Sequence, residues 1–253
     1  MKMPTTVKAI TAAITLAISS TTLADTSDEA LIDQTGNLNS AAAMQFGDRN
    51  FTDIDQDGDL NAAMLLQSGE ENVALIDQNG DGNGLISSQE GVTNLMEATQ
   101  NGNDNMIATA QSGESNYQLI ETDGDGNYAG GIQSGTENTS YIDQDGNLNS
   151  AQADQEGFFN DMNLTQEGDG NSAHTMQSGE INYMELNQIG NDNYSLAIQH
   201  GVENLALVDQ LGDGNTNAVS QFGDHHIADI NQTGDGNTAV VIQGGFGANP
   251  TSL

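Results

Sequence analysis

The sequence predicts an all-β fold, a β-solenoid of about ten coils with 22 residues in each coil. Three observations lead to this prediction: a spacing of eleven residues that never slips, a glycine in every unit, and the two-residue alternation typical of strands. Each coil is expected to run strand, turn, strand, turn. Two facing parallel sheets with amyloid-like cross-β stacking would result.

The repeat unit is the hexad Gln-x-Gly-x-x-Asn. It begins at Gln34 and recurs every eleven residues to Gln243, which makes nineteen steps and twenty units without an insertion or deletion. Gly keeps its place in all twenty units, whereas Gln is replaced by Thr122 and Asn by His226 and Ala248. An eleven-residue period also fits a right-handed supercoil of helices. A Gly in every unit would cost such helices roughly 1 kcal/mol each, so strands are favoured.

The period of eleven is half of a longer repeat. Ten places after each Gln, acidic or polar residues such as Asp55 and Asp77 alternate with apolar ones such as Met44 and Leu66. The residue nine places after each Gln is usually large in the first set (Ile54, for example) and often small in the second. Two facing sheets, with large side chains packed against small ones, explain this alternation.

The Gln, Gly and Asn of the hexad are the predicted structural site. Gln and Asn are expected to point inward and to form amide ladders from coil to coil, and Gly is expected to form the turns. Thr122 should weaken one rung, and His226 retains the ability to hydrogen-bond. The representative ladder residues are Gln34, Gly36, Asn39, Gln45, Gly47, Asn50, Gln56, Gly58, Asn61, Gln166, Gly168, Asn171, Gln232, Gly234 and Asn237.

The composition limits both the core and the partners. The 253 residues include no Cys and no Trp, only 4% are aromatic, and the net charge is −34. Such numbers are also typical of disordered chains, but twenty units in perfect register argue against disorder. After Arg49 the chain has no Lys or Arg, so nucleic acid is not expected as a partner.

The chain is expected to be exported. Residues 1–24 have a basic start, an apolar run and a small-residue cleavage site, as a removable signal peptide does. Residues 25–33 would form a short N-terminal segment, residues 34–247 the solenoid repeats, and residues 248–253 a C-terminal tail.

The hexads resemble the curlin repeat of curli fibre subunits; the clearest examples run from Gln56 to Gln67 and from Gln166 to Gln177. The resemblance implies a secreted subunit that self-assembles into extracellular, pilus-like amyloid fibres for surface adhesion and biofilm matrix. It also implies three partners: a nucleator subunit, a periplasmic chaperone and an outer-membrane secretion pore. The ending Gln243-Gly244-Gly245-Phe246-Gly247 resembles a major subunit, while the even spacing is similar to that of the minor nucleator.

Other functions are less favoured by the sequence. Asp53, Asp55, Asp57 and Asp59 echo the start of a calcium loop, but Met64 stands where the bidentate Glu belongs. A soluble, calcium-stabilised β-solenoid adhesin is therefore kept as an alternative. His225 and His226 lack the spacing of a zinc site, and no nucleophile has a placed base, so no metal, cofactor or catalytic residue is predicted.

The ends of the array are expected to drive polymerisation. Neither flank offers a long charged or proline-blocked cap, so the last coil of one copy could stack on the first coil of another in an open filament. Stacked acids such as Asp55 and Asp77 would repel by ~1 kcal/mol per pair in water and delay this assembly.

Overall fold

A computed structural model describes residues 27–246, and these residues contain strands and turns but no helix. Odd-numbered strands have seven residues and even-numbered strands have nine. The twenty strands are β1 (Glu29–Thr35), β2 (Ser40–Asp48), β3 (Phe51–Asp57), β4 (Ala62–Glu70), β5 (Val73–Asn79), β6 (Gly84–Val92), β7 (Leu95–Asn101), β8 (Met106–Glu114), β9 (Tyr117–Asp123), β10 (Tyr128–Thr136), β11 (Thr139–Asp145), β12 (Ser150–Phe158), β13 (Asp161–Glu167), β14 (Ser172–Glu180), β15 (Tyr183–Ile189), β16 (Tyr194–Val202), β17 (Leu205–Leu211), β18 (Thr216–Asp224), β19 (Ile227–Thr233) and β20 (Thr238–Phe246).

The strands form two parallel sheets of ten. The odd-numbered strands make one, here called sheet A, and the even-numbered strands make the other, sheet B; each strand pairs with the strand two places along the chain. Paired strand residues are always 22 positions apart, as Gln56 lies beside Gln78 in sheet A. The predicted fold class, the ten coils and the 22-residue spacing are confirmed.

The core is a thin layer between the sheets. Along each strand buried side chains alternate with exposed ones, as in β3, where Thr52, Ile54 and Gln56 are buried. Aliphatic residues on the two inner faces pack against each other, for example Ile54 and Leu65, which are both fully buried. Small side chains such as Ala63 and Ala74 let the sheets approach closely, which explains the low aromatic content.

The turns use left-handed backbone at two places. The hexad Gly has φ between 101° and 135°, a region that side chains rarely enter. Two residues later the chain is again left-handed, and here fourteen non-glycine residues, among them Thr93 and Ile181, adopt φ between 53° and 65°. In these turns the backbone N–H groups donate to carbonyls of the preceding coil, as Gly58 does to Thr35 at 3.0 Å and Leu60 does to Asn37 at 2.9 Å.

Some expectations concern residues outside this range. The signal peptide predicted at residues 1–24 and the tail at 248–253 lie outside the described residues. Strand β1 begins at Glu29, five residues before the Gln34 from which the repeats were counted. No helix in the described part of the chain is long and apolar enough to cross a membrane.

Candidate functional site: amide ladders and open ends

Two columns of Gln side chains run the length of the core. In sheet B each Gln Nε2 donates to the Oε1 of the Gln in the next coil, from Gln45 to Gln67 at 2.9 Å and on to Gln243 without a gap. The same Nε2 also donates to backbone carbonyls of the facing strand and turn, as Gln67 does to Phe51 and Asn72. Because both amide protons have acceptors, the buried Gln side chains join neighbouring coils and also join the two sheets.

Two further columns consist of Asn side chains at the turns. The Asn61 backbone N–H donates to the Oδ1 of Asn39 in the preceding coil at 2.9 Å, and its Nδ2 donates to the carbonyl of Gly80 in the next coil at 2.8 Å. One Asn therefore joins three successive coils. In the bonds between like residues, an Asn Oδ1 accepts from the Asn of the following coil, whereas a Gln Nε2 donates to the Gln of the following coil, so these two sets of bonds run in opposite directions.

The hexad glycines let the turns stack closely. A Cβ on Gly58 would lie 2.0 Å from the carbonyl oxygen of Gly80 in the next coil, closer than any real contact. This carbonyl is the one that the Asn61 side chain binds. Gly and Asn are therefore coupled: the absence of a side chain at Gly brings the next coil within reach of the Asn amide.

The structure places the predicted ladder residues as follows. Gln34 donates to Gln56, Gln166 to Gln188 and Gln210 to Gln232, at 2.6–2.9 Å. Asn39, Asn50 and Asn171 donate to glycine carbonyls of the next coil at 2.7–3.0 Å, and Asn237 N–H donates to Asn215 Oδ1. Gly36, Gly47, Gly58, Gly168 and Gly234 all have positive φ.

The Gln column of sheet A is broken once, at Thr122. Gln100 Nε2 donates only to the Gly84 carbonyl, and Gln144 Oε1, the Thr122 hydroxyl and the Ser140 hydroxyl have no hydrogen-bond partner although they are buried. Unpaired buried polar groups destabilise a fold by about 1–3 kcal/mol each. The fifth coil, which contains Thr122, is therefore a weak point of the solenoid.

The same coil has a second irregularity that the sequence analysis missed. Gln118 occupies an inner place that is usually Ala, and neither polar atom of its buried amide has a partner. Opposite, Gly131 provides the space, because a Cβ there would lie 2.1 Å from Gln118 Nε2. The sequence could have revealed this irregularity, because Gln118 and Gly131 replace small and aliphatic residues at two inner positions that face each other in one coil.

His226 occupies the place of a ladder Asn. Its backbone N–H donates to Asn204 Oδ1 at 3.0 Å, and its Nε2 lies 2.8 Å from the Gly245 carbonyl. These are the two partners that an Asn would have. The neighbouring His225 forms an ion pair with Glu203 when protonated, with 2.9 Å between Nε2 and Oε2.

The outward face of sheet A is acidic. Asp33, Asp55 and Asp77 stand in one column in successive coils. Partial burial, and then repulsion from Asp77, Asp33, Asp53 and Asp57, raises the pKa of Asp55. Neutral groups relieve this charge elsewhere on the sheet.

Tyr141 is one such group. Its hydroxyl donates to Glu121 at 3.0 Å and to Asp143 at 3.2 Å. Burial, and then the charge of Asp143 and the bond to Glu121, raises the pKa of Tyr141, so the hydroxyl stays protonated as a donor.

The acidic residues that resemble the start of a calcium loop lie in strand β3. Asp53, Asp55 and Asp57 project from one face of an extended strand, where alternate residues are ~6.6 Å apart. They are therefore spread along the sheet, whereas a calcium loop folds its ligands around one ion. Among residues 27–246 no three His, Asp or Glu side chains converge as metal ligands.

The ends of the solenoid are open. Strands β1 and β2 at one end, and β19 and β20 at the other, each have a neighbour on one side only within the described chain. Several inner residues of these end strands, among them Ala30, Ile32, Ala239 and Val241, are only partly buried, whereas most inner aliphatic residues of the middle coils are fully buried. Within residues 27–246, each end thus presents the backbone and side chains of a coil with a neighbour on one side only.

Over the described residues, these features define a class of protein: a parallel β-solenoid with amide ladders and end strands that have one neighbour each. The curlin associated repeat family matches residues 26–58, 47–80, 58–91 and 190–223. These four matches support a curlin-repeat protein. No curated protein matches the sequence. The curlin repeat and the β-solenoid are structural rather than enzymatic, and this repeat family is associated with extracellular fibres that self-assemble.

Proposed function

We propose that this chain is a secreted structural subunit that stacks end to end into extracellular amyloid fibres for surface adhesion and biofilm matrix. The observation that carries the proposal is the register that the coils at both ends share with the internal coils. The last coil pairs with the coil before it in the same 22-residue register as all internal coils, and the first coil pairs in this register with the coil after it. A second copy therefore fits where a twenty-first strand would lie.

Continuing the internal register across the junction pairs like with like. In sheet A, Ala228 would lie beside Ala30 of the next copy, Ile230 beside Ile32, and Gln232 beside Gln34. In sheet B, Val241 would lie beside Ala43, and Gln243 beside Gln45. The core would continue as aliphatic residues and both Gln ladders would gain a rung, so the junction would have the same interactions as the coils inside one molecule.

The curlin repeat supports further proposals on transport. Export by the signal sequence, passage through an outer-membrane pore with a periplasmic chaperone, and growth from a nucleator subunit would bring the chain to the cell surface. A role as the minor nucleator of the same fibre uses the same ends and the same ladders.

A pair of adjacent valines in β20 tests end-to-end stacking. Val241 points into the junction, whereas Val240 points to solvent with 62% of its surface exposed. Val241→Asp would place a charge between two copies, where desolvation opposes it. Val240→Asp makes the same chemical change in water and is the control.

We expect Val241→Asp to slow filament elongation at least tenfold in an amyloid-dye assay, which corresponds to about 1.4 kcal/mol or more relative to the wild type. Val240→Asp should elongate within about twofold of the wild type. Added in small amounts, Val241→Asp should also block the ends of wild-type filaments, because its other end is intact. Equal elongation by both variants would contradict the proposal. A wild-type chain that stays monomeric and becomes β-rich only with calcium would favour the soluble adhesin.

A further inference from the structure

The two outward faces of the solenoid differ strongly in charge. Each face has two central columns of ten residues, at the eighth and tenth places after Gln. In sheet A these columns hold four and six acids, ten in all, whereas in sheet B the only acid is Asp154. The sheet B columns contain large apolar side chains that are exposed, including Met64, Ile86, Ile132, Met176 and Ile242.

From this asymmetry we infer that sheet B is a lateral docking surface for a second copy of this chain, sheet B against sheet B. Pairing through sheet A would place two sets of ten acids opposite each other, and like charges at close range repel. Pairing through sheet B removes apolar side chains from water and leaves the acids of both copies on the outside. This lateral contact is separate from the end-to-end junction and does not depend on it.

The geometry of sheet B also favours a second copy over an unrelated partner. Its side chains repeat at the strand spacing of ~4.8 Å over ten strands, and a surface interdigitates with them only when it has the same spacing. The footprint is ~45 Å along the axis and ~20 Å across, or ~900 Å² per copy. Stable protein interfaces bury about 800 Å² on each partner, so the face is large enough.

The arrangement also limits the assembly. Once two copies are paired, both remaining broad faces are acidic sheet A surfaces, which repel further copies. The pair should therefore stop at two and should not grow into a sheet of many filaments.

The test uses two triple variants of the full chain. In the face variant Met64, Ile86 and Ile132, which are 51–52% exposed, are each changed to Glu. In the control, Leu38, Leu60 and Leu148 in the turns, which are 59–80% exposed, are each changed to Glu. Both sets add three charges, and both place two of them in adjacent coils and the third apart.

Mass per length of filaments and sedimentation of the freshly purified chain are measured together. Wild type and control should give two copies per cross-section or a sedimenting dimer, and the face variant should give one copy or a monomer, a twofold drop. Loss of filaments in every sample would argue against end-to-end stacking and would leave the sedimenting dimer as the readout of this contact. One copy in the wild type, or two copies in the face variant, would overturn the inference. So would a monomeric wild type that binds neutral phosphatidylcholine vesicles, since a lipid surface would then be the occupant.

Discussion

The side-chain amides of Gln and Asn decide how the coils are joined, because their hydrogen bonds run along the solenoid axis. In sheet B, Gln89 satisfies its Nε2 with one Gln and two backbone carbonyls, at 2.8–3.2 Å. Each buried hydrogen bond contributes ~1 kcal/mol net, but leaving one partner unpaired costs more. Breaks in the column are therefore more informative than its intact rungs.

Restoring the broken rung should stabilise the protein. In Thr122→Gln the new amide can accept from Gln100 Nε2 and donate to Gln144 Oε1, which has no partner in the wild type. We expect the free energy of unfolding to rise by ~1–3 kcal/mol in denaturant titration. Gln166→Thr, which opens an equivalent gap elsewhere in the same column, should lower it by a similar amount. A stability loss in Thr122→Gln would show that the rung cannot form.

Two glycines of one turn should respond very differently to the same substitution. A Cβ on Gly212 would lie 2.4 Å from the Gly234 carbonyl oxygen at φ 120°, whereas a Cβ on Gly214 would have nothing within 4 Å at φ 65°. Gly212→Ala should cost roughly 2–5 kcal/mol, from strain and overlap, as measured by denaturant unfolding. Gly214→Ala should cost only ~1 kcal/mol, since only the left-handed backbone opposes it. Equal losses would mean that the turns do not stack as described.

At the scale of the strand and turn, the sequence predicts most of the regular features of the fold. The two-residue alternation and the constant spacing specify which side chains point inward and which residues lie side by side, as Gln56 and Gln78 do. The sequence does not predict the opposite directions of the Gln and Asn ladders, because these depend on amide orientations within the folded turn. The contrast between the acidic and the apolar face becomes visible only when odd and even strands are separated into their sheets.

The acidic face of sheet A should make stability depend on pH. The pKa of Asp55 is raised by partial burial and by Asp77, Asp33, Asp53 and Asp57, and that of Asp143 is raised chiefly by burial. The folded chain therefore binds protons more tightly than the unfolded chain, so stability rises as pH falls from neutral through these raised values towards the ordinary pKa near ~4. Assembly should accelerate over the same range.

Removing one charge from this column should reproduce the effect of acid at neutral pH. Asp55→Asn should raise stability at pH 7 by ~0.5 kcal/mol, because like charges on neighbouring strands repel, and should flatten the dependence on pH. Glu137→Gln, which makes the same charge change in a turn, is the control. Thermal or denaturant unfolding between pH 4 and pH 7 gives the comparison, and a steeper dependence in Asp55→Asn would contradict it.

For the whole molecule, the property on which the proposed assembly depends is that the first and last described coils have the same register as the internal ones. Most repeat proteins close their terminal repeats with caps, since an open edge pairs with other chains. Here the described chain ends in partly buried core residues such as Ile32 and Val241 and in unpaired strand edges. The charge of −34 opposes this tendency over the whole surface, so in the proposed fibre the fold and the charge together would set the rate of assembly.

Helical reconstruction of the filaments by electron cryomicroscopy tests this account most directly. If each chain is a ten-coil solenoid stacked end to end, one copy should advance the filament by ~48 Å, with a strand every ~4.8 Å and both Gln columns continuous across the junction. If each chain instead occupies a single ~4.8 Å layer, as in ordinary in-register amyloid, the mass per length would be about tenfold higher, and the solenoid would not be the unit of the fibre.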